Sequence, residues 1–233
     1  MAFSEIYVDP SIAGDSGSGT VGDPYGDLEY AIEQETFDTT NGTRVNIKAG
    51  TDEILAADLS TALADTSVSI AWAPGITSPL IFQGYTSAAG DGGVGGISGG
   101  GSVGILNNAA YDYTSFIDLH LHNCGAATVV DIDNWCNFIR LEVDNTSGAG
   151  LSSDTEGQIL DCYIHNVGGI GATVNSGIIA RNHLENGTNK FSIAINCAAA
   201  TMIHRNIVSV DGASDGINIG GTGVVVQNNS DRS

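Results

Sequence analysis

The residues with the clearest chemical potential are histidines and carboxylates that recur at regular spacing in the second half of the chain. His120 and His122 form a His-x-His pair, and Glu142 and Asp144 form a matching pair further along the chain. If both segments are strands, alternate side chains point to one side, so the imidazoles and carboxylates face each other. Such a set holds a divalent cation or serves as an acid and base pair. The candidate metal ligands are His120, His122, Asp144 and His165.

A second chemical interpretation uses carboxylates that lie one strand spacing apart. Neighbouring strands are about 4.8 Å apart, which is near the separation of the two carboxyl groups in a retaining glycosidase. The candidates are Asp118, Glu142, Asp144 and Asp161. However, Arg140 falls between Asp118 and Asp161 in its column, and alternating charge is also how a stacked sheet avoids like neighbours. The pattern therefore favours a structural role, with no catalytic residue, metal or cofactor predicted.

An internal repeat places these residues on strands. Eight-residue segments that begin at Phe116, Phe138, Ile159, Ile179, Ile203 and Val225 align without gaps. Their fourth positions recur at intervals of about 22 residues, which is the length of one coil of a solenoid. The fourth and sixth positions are mainly apolar and are predicted to face inward, whereas the third, fifth and seventh face solvent. An Asn in the eighth position of the first four copies predicts stacked amides at a recurring turn.

The repeat predicts an all-β fold, a right-handed parallel β-helix in which each coil buries its apolar side against the next. Before the repeat, Asp23-Pro24 signals a short helix that extends to Gln34 with Leu28, Ala31 and Ile32 on one face. We expect this helix to cover the end of the core, and residues 44–48 to form the first strand. The nine glycines in Gly90 to Gly104 predict a surface excursion.

We expect a single domain over residues 1–233. It comprises an N-terminal cap and first coil (1–50), irregular coils with the glycine-rich loop 90–104 (51–114), and the regular coils of the repeat (115–233).

Composition excludes several functional classes. Seven basic against 27 acidic residues give a net charge of −20, which would repel nucleic acid and anionic membranes. The N-terminus has neither the basic nor the apolar region of a signal peptide, so we expect folding in a cytoplasm. The four cysteines lack zinc-site spacing and are predicted to be reduced and buried.

Several N-terminal segments resemble one family. Tyr7-Val-Asp-Pro10, the Gly/Ser-rich Gly14 to Gly22, Val45 to Gly50, and Leu80 to Ser87 are similar to the entry segment of right-handed parallel β-helix proteins of the pectate-lyase-like superfamily. Phage virion proteins of that superfamily, of the capsid decoration or tailspike type, are the most similar. The superfamily also includes lyases that use acidic calcium ligands with a basic proton acceptor. In this chain Arg140 among Asp118, Glu142, Asp144 and Asp161 would take those roles, with Ca²⁺ as the cofactor.

The resemblance implies a non-enzymatic phage structural protein, a capsid decoration or cement protein first and a tail-associated module next. The alternative is a polysaccharide lyase or glycoside hydrolase acting on cell-surface or acidic glycans. Against it, the exposed columns supply mainly Tyr163 as an aromatic platform, and Trp72 and Trp135 are predicted to lie off that face. The expected partners are further copies of the chain in a homotrimer, together with major capsid or tail proteins. The expected location is a virion assembled in a host cytoplasm.

Overall fold

The protein is a parallel β-solenoid. The computed structural model describes residues 3–64, 74–107, 111–199, 201–210 and 215–231. Within these ranges there are two short helices, α1 (Leu28–Gln34) and α2 (Leu59–Ala64), and 21 strands in two sheets. Every pairing between two of the named strands is parallel, as expected when coils stack on one another.

Thirteen strands form the large sheet: β1 (Ser4–Val8), β2 (Thr43–Lys48), β4 (Leu80–Tyr85), β6 (Leu106–Asn107), β7 (Thr114–Ile117), β9 (Val130–Asn134), β10 (Asn137–Ile139), β12 (Leu151–Leu160), β14 (Ile170–Ala180), β16 (Ile193–Cys197), β17 (Thr201–His204), β19 (Asp215–Ile219) and β20 (Val225–Gln227). Eight form the small sheet: β3 (Asp52–Ile54), β5 (Gly95–Ser98), β8 (Leu119–Gly125), β11 (Glu142–Thr146), β13 (Tyr163–His165), β15 (His183–Glu185), β18 (Ile207–Ser209) and β21 (Ser230–Asp231).

Strand register confirms the alignment of the first five repeat copies. The first position pairs from Phe116 through to Ile203, and the sixth pairs from Leu121 through to Val208. The sixth copy is shifted by one residue from the prediction, because Ile203 pairs with Val226 rather than Val225. This shift brings Asn229 next to Asn206, whose backbone N–H donates to Asn229 Oδ1 at 2.8 Å.

Each repeat copy is two strands and not the single strand that the sequence predicts. The third position has a left-handed backbone in five copies, with φ of 55° at Asp118, 54° at Arg140, 58° at Asp161, 60° at Arg181 and 54° at Arg205. One residue in this conformation turns the chain sharply. The charged column therefore lies at the corner where the large sheet passes into the small sheet.

One continuous apolar core fills the coils. Its largest members include Phe82, Phe116 and Phe138, whose rings stack from coil to coil with centroids 5.0 and 6.1 Å apart. The four cysteines are free and buried, as predicted. Burial raises the pKa of Cys136 and of Cys162 to about 12, so these thiols are unreactive packing groups.

The N-terminal cap differs in detail from the prediction. The helix α1 begins at Leu28, because the Asp27 side chain accepts the Tyr30 N–H at 2.7 Å and caps it there; Asp23-Pro24 lies outside the helix. Its predicted face, Leu28, Ala31 and Ile32, is buried. The first strand is β1, which precedes β2, and α2 packs against α1 without having been predicted. In the described part of the chain, neither helix has the length and apolar character needed to cross a bilayer.

The glycine-rich segment is not wholly a surface excursion. Residues 95–98 form β5, a buried strand between β3 and β8 in the small sheet. At Gly95 a Cβ would press against the backbone and side chain of Ile47. Glycine is therefore used here for close approach of two chain segments as well as for turns.

Candidate functional site

The outer face of the small sheet carries two parallel columns of polar side chains. Register places Asp52, Gly96, His120, Glu142, Tyr163 and His183 in one column, and Ile54, Ser98, His122, Asp144, His165 and Glu185 in the other. The predicted facing of histidines and carboxylates is confirmed. Both columns belong to one continuous face because alternate residues of a strand share a side.

Hydrogen bonds on this face run diagonally between the columns. His120 Nε2 lies 2.9 Å from Asp144 Oδ1, and His165 Nε2 lies 3.1 Å from Glu142 Oε1. The Tyr163 hydroxyl donates to Glu185 Oε2 at 3.0 Å, which is again a contact from the first column to the second column one coil later. Each carboxylate is thus engaged by a ring in the neighbouring coil.

The structure adds a residue that the sequence did not single out. Asp52 Oδ2 lies 3.1 Å from His122 Nε2. One ligand atom from each of Asp52, His120 and His122 lies within 4.8 Å of the others. The two imidazoles stack with centroids 4.3 Å apart. We call these three residues the Asp–His–His cluster.

Of the four candidate ligands, only His120 and His122 lie in this cluster. Asp144 touches it through His120, whereas His165 faces Glu142 and is 4.0 Å from Asp144 Oδ2. Asp52 was missed because it precedes Gly96, its neighbour in the column, by two repeat lengths, with α2 in between. The one feature that could have indicated Asp52 is the short strand β3, in which Asp52 and Ile54 are exposed and Glu53 between them is buried.

The five residues that would be catalytic if the chain were a lyase or hydrolase lie in two separate places. Glu142 and Asp144 lie on the small-sheet face, whereas Asp118, Arg140 and Asp161 lie at the left-handed corner. There Arg140 binds both oxygens of Asp118, at 2.6 and 2.7 Å. Arg181 binds Asp161 in the same way, at 2.7 and 2.6 Å. The predicted alternation of charge is therefore confirmed as two bidentate ion pairs.

These pairs change the protonation chemistry of the corner. The hydrogen bonds from Arg181 hold the pKa of Asp161 below its usual range, although partial burial acts in the opposite sense. The hydrogen bond to Asp118 raises the pKa of Arg140. Both groups stay charged at neutral pH.

A stacked aromatic pair lies at the surface elsewhere on the solenoid, with Trp135 exposed and Tyr113 partly buried. Tyr113 and Trp135 occupy equivalent positions in successive coils, at a second left-handed corner that precedes β7 and β10 and is separate from the Asp118–Arg140 corner. Their rings stack 5.6 Å apart at an interplanar angle of 6°. Trp135 is 40% exposed and lies between β9 and β10 of the large sheet, so it is off the small-sheet face, as predicted. Trp72 lies outside the described residues.

Acidic residues flank the aromatic pair. Asp112 accepts hydrogen bonds from Asn134, which precedes Trp135. Partial burial, and then the charges of Asp154, Asp112 and Asp131, raise the pKa of Asp133. In the next coil Glu156 takes the corner position and lines a groove of about 370 Å³ together with Gln158, Ser176, Gly177 and Ile178.

Comparisons with protein-family models, with curated proteins and with solved structures give no match.

Proposed function

We propose that this chain is a non-enzymatic structural protein of a phage particle, a capsid decoration or cement protein, with a tail-associated module as the next choice. The observation that carries the structural role is the engagement of the carboxylates that would otherwise do chemistry. The phage setting is supported by the sequence resemblance. It brings with it a location in a virion assembled in a host cytoplasm.

The corner ion pairs argue against catalysis by the predicted residues. A glycosidase needs one carboxylic acid with a raised pKa to protonate the leaving group. The pKa of Asp161 is instead lowered, and Asp118 is buried with both oxygens held by Arg140. A lyase needs its basic residue free to take a proton from substrate, whereas Arg140 is committed to Asp118. These contacts fit a rigid scaffold better than an active site.

A direct assay tests the absence of catalysis. Acidic and neutral polysaccharides are incubated with the protein, with and without Ca²⁺, and reducing ends and unsaturated products are measured. We expect no turnover. Turnover that is abolished by Arg140→Ala or Asp161→Asn would overturn the structural proposal and support the lyase or hydrolase.

For the partner we propose further copies of this chain, in a homotrimer, which then contacts major capsid or tail proteins. The support is an apolar stripe on the outer face of the large sheet, where Ile178, Met202 and Val225 are neighbours in successive coils. Met202 is 45% exposed and Val225 is 42% exposed. Burying such a stripe is favourable because apolar area leaves water. The net charge of −20 opposes association, so salt should strengthen it.

Light scattering at low and high salt tests this association. We expect a trimer mass that becomes more stable at high salt, and a monomer for Met202→Glu. Thr188→Glu adds the same charge at an exposed position elsewhere and should remain trimeric. A wild-type monomer at both salt concentrations would contradict the proposal.

A second candidate function is glycan binding, and the stacked Tyr113 and Trp135 favour it. Exposed aromatic faces are suitable platforms for the apolar faces of sugar rings, and the flanking carboxylates offer hydrogen-bond acceptors. Calorimetric titration with oligosaccharides tests this function. Binding that Trp135→Ala abolishes and Tyr163→Phe preserves would support it, and no binding to any member of the panel would contradict it.

A further inference from the structure

We propose that the Asp–His–His cluster is a binding site for a divalent transition-metal ion of the zinc type. Two neutral imidazoles and one carboxylate are a donor set that suits Zn²⁺, with the remaining coordination position open to water. Calcium does not suit it, because Ca²⁺ takes oxygen ligands. The site is distinct from the corner ion pairs and from the aromatic pair.

The spacing of the donor atoms fits one ion. Two ligands bound at about 2.0 to 2.1 Å to a tetrahedral ion are separated by about 3.3 Å. His122 Nε2 and Asp52 Oδ2 are 3.1 Å apart, and the three donor atoms lie within 4.8 Å of one another. Small side-chain rotations therefore bring all three to bonding distance. The two imidazoles are already stacked, at an interplanar angle of 13°.

Gly96 leaves the space that the carboxylate occupies. It lies between Asp52 and His120 in the same column, and a Cβ there would collide with Asp52 Oδ1. The absent side chain lets Asp52 lean across one coil towards the imidazoles of the next. Any larger residue at position 96 would separate the carboxylate from the histidines.

A second carboxylate orients one of the imidazoles. Asp144 Oδ1 lies 2.9 Å from His120 Nε2 and is only 22% exposed. Metal-ligating histidines commonly use one ring nitrogen for the ion and the other for a carboxylate that fixes the ring. Asp144 is thus a positioning residue in the proposed site, where one ring nitrogen of His120 contacts this carboxylate and the other is the metal ligand.

A bound ion would join two parts of the solenoid. Asp52 belongs to the irregular N-terminal coils, and His120 and His122 belong to the first regular coil. Because β5 lies between β3 and β8, the ion would bridge across an intervening strand. Binding to the folded state alone raises stability by mass action.

Calorimetric titration of the chelator-treated chain with ZnCl₂ tests the proposal. We expect saturable binding of one ion per chain and a rise in melting temperature with Zn²⁺. Asp52→Ala and Gly96→Ala should each weaken binding by at least about tenfold. Asp52 is exposed, so its replacement leaves the core intact, and circular dichroism checks the fold of both variants.

His165→Ala is the matched control. His165 has the same ring-to-carboxylate contact, with Glu142 at 3.1 Å, but lies outside the cluster, so Zn²⁺ binding should be unchanged. Tetrahedral Co²⁺ absorption that disappears in Asp52→Ala would support the same ligand set. Absence of saturable wild-type binding up to about 1 mM Zn²⁺ would overturn the proposal. Equal wild-type, Asp52→Ala and Gly96→Ala affinities would also overturn it.

Discussion

The two ends of the solenoid fill their interior in different ways. In the coils around Phe82, Phe116 and Phe138, stacked aromatic rings occupy the centre. Further along the chain, the inward fourth position changes from Leu119, Leu141 and Cys162 to Asn182 and Asn206, which are both 1% exposed. The same repeat position therefore accepts either a hydrocarbon or an amide.

The amides are tolerated because their hydrogen bonds are satisfied. Asn182 Oδ1 accepts the Cys162 N–H at 2.8 Å, and Asn182 Nδ2 donates to Ile159 O at 2.8 Å. Asn206 repeats both contacts one coil later, to Asn182 N at 3.0 Å and to Ile179 O at 2.9 Å. Burying a polar group is costly only when its partners are missing. Coil stacking is therefore specified by side-chain packing in the aromatic coils and by an amide ladder in the coils of Asn182 and Asn206.

The largest effect is expected from the aromatic end. Phe116→Ala removes the middle ring of the stack and leaves a cavity, so the free energy of unfolding should fall by about 3 to 5 kcal/mol. Urea denaturation measures the change, with Ile76→Ala, at a side chain that is 76% exposed, as the control. A loss below about 1 kcal/mol would mean that the core rearranges to fill the space.

Substitutions in the amide ladder should lower the stability almost as much as those in the aromatic stack. Asn206→Ala deprives Asn182 N and Asn182 Nδ2 of their acceptor and Ile179 O of its donor, which we expect to cost about 3 kcal/mol. Asn206→Leu restores volume but not these bonds, so it should also destabilise. The exposed Asn218→Ala, which loses a bond to Asn196, should change stability by less than about 0.5 kcal/mol. An unchanged Asn206→Leu variant would show that packing alone specifies this end.

A smaller effect is expected at the corner between the sheets. Asp118→Asn keeps a residue that accepts the left-handed backbone but removes the charge that binds Arg140, so a loss of about 1 kcal/mol is expected. The more exposed Asp161→Asn should lose less. Denaturation at low and high salt separates the electrostatic part of this loss from the loss of hydrogen-bond geometry. Salt screens the ion pair, so the difference in stability between wild type and Asp118→Asn should be smaller at high salt.

A further effect depends on pH and concerns Glu53, which occupies the inward sixth position beside Ile97. Burial, and then the charge of Asp27, raises the pKa of Glu53 to about 8 from its ordinary 4.5. The folded state therefore holds a proton that the unfolded state releases, so this contribution to stability is complete below pH 4.5 and is lost as pH rises through about 8. Melting temperatures of wild type and Glu53→Gln across this range provide the test. We expect a flatter profile for Glu53→Gln, and parallel profiles would contradict the assignment.

Much of the small-sheet face was predictable because it depends on alternation along strands. The facing of His120 and His122 with Glu142 and Asp144 follows from the period and from strand geometry. The recurring turn predicted at the eighth position is confirmed, with a left-handed backbone at Asn123, Asn145 and Asn166, but two amides of this column bind residues outside it. Asn166 Oδ1 accepts the N–H of Asn189, and Asn186 Oδ1 accepts that of Phe191.

The observed amide ladder instead lies in the inward fourth column and continues through Asn229. The reason is local. A left-handed corner precedes each fourth position, and the amide oxygen of the next coil accepts the N–H that follows the corner. Sequence periodicity does not reveal where a backbone donor needs a partner.

The sequence by itself determined the stacking of coils, because a repeat of about 22 residues with alternating apolar positions buries its hydrocarbon only when successive turns lie in register. It also determined the alternation of charge that becomes the Asp118–Arg140 pair. Only the tertiary structure decided that Asp52 reaches His122, because an irregular coil separates them and the missing side chain of Gly96 opens the path. It likewise decided the exposure of Trp135, which depends on a left-handed corner that residue types alone do not predict.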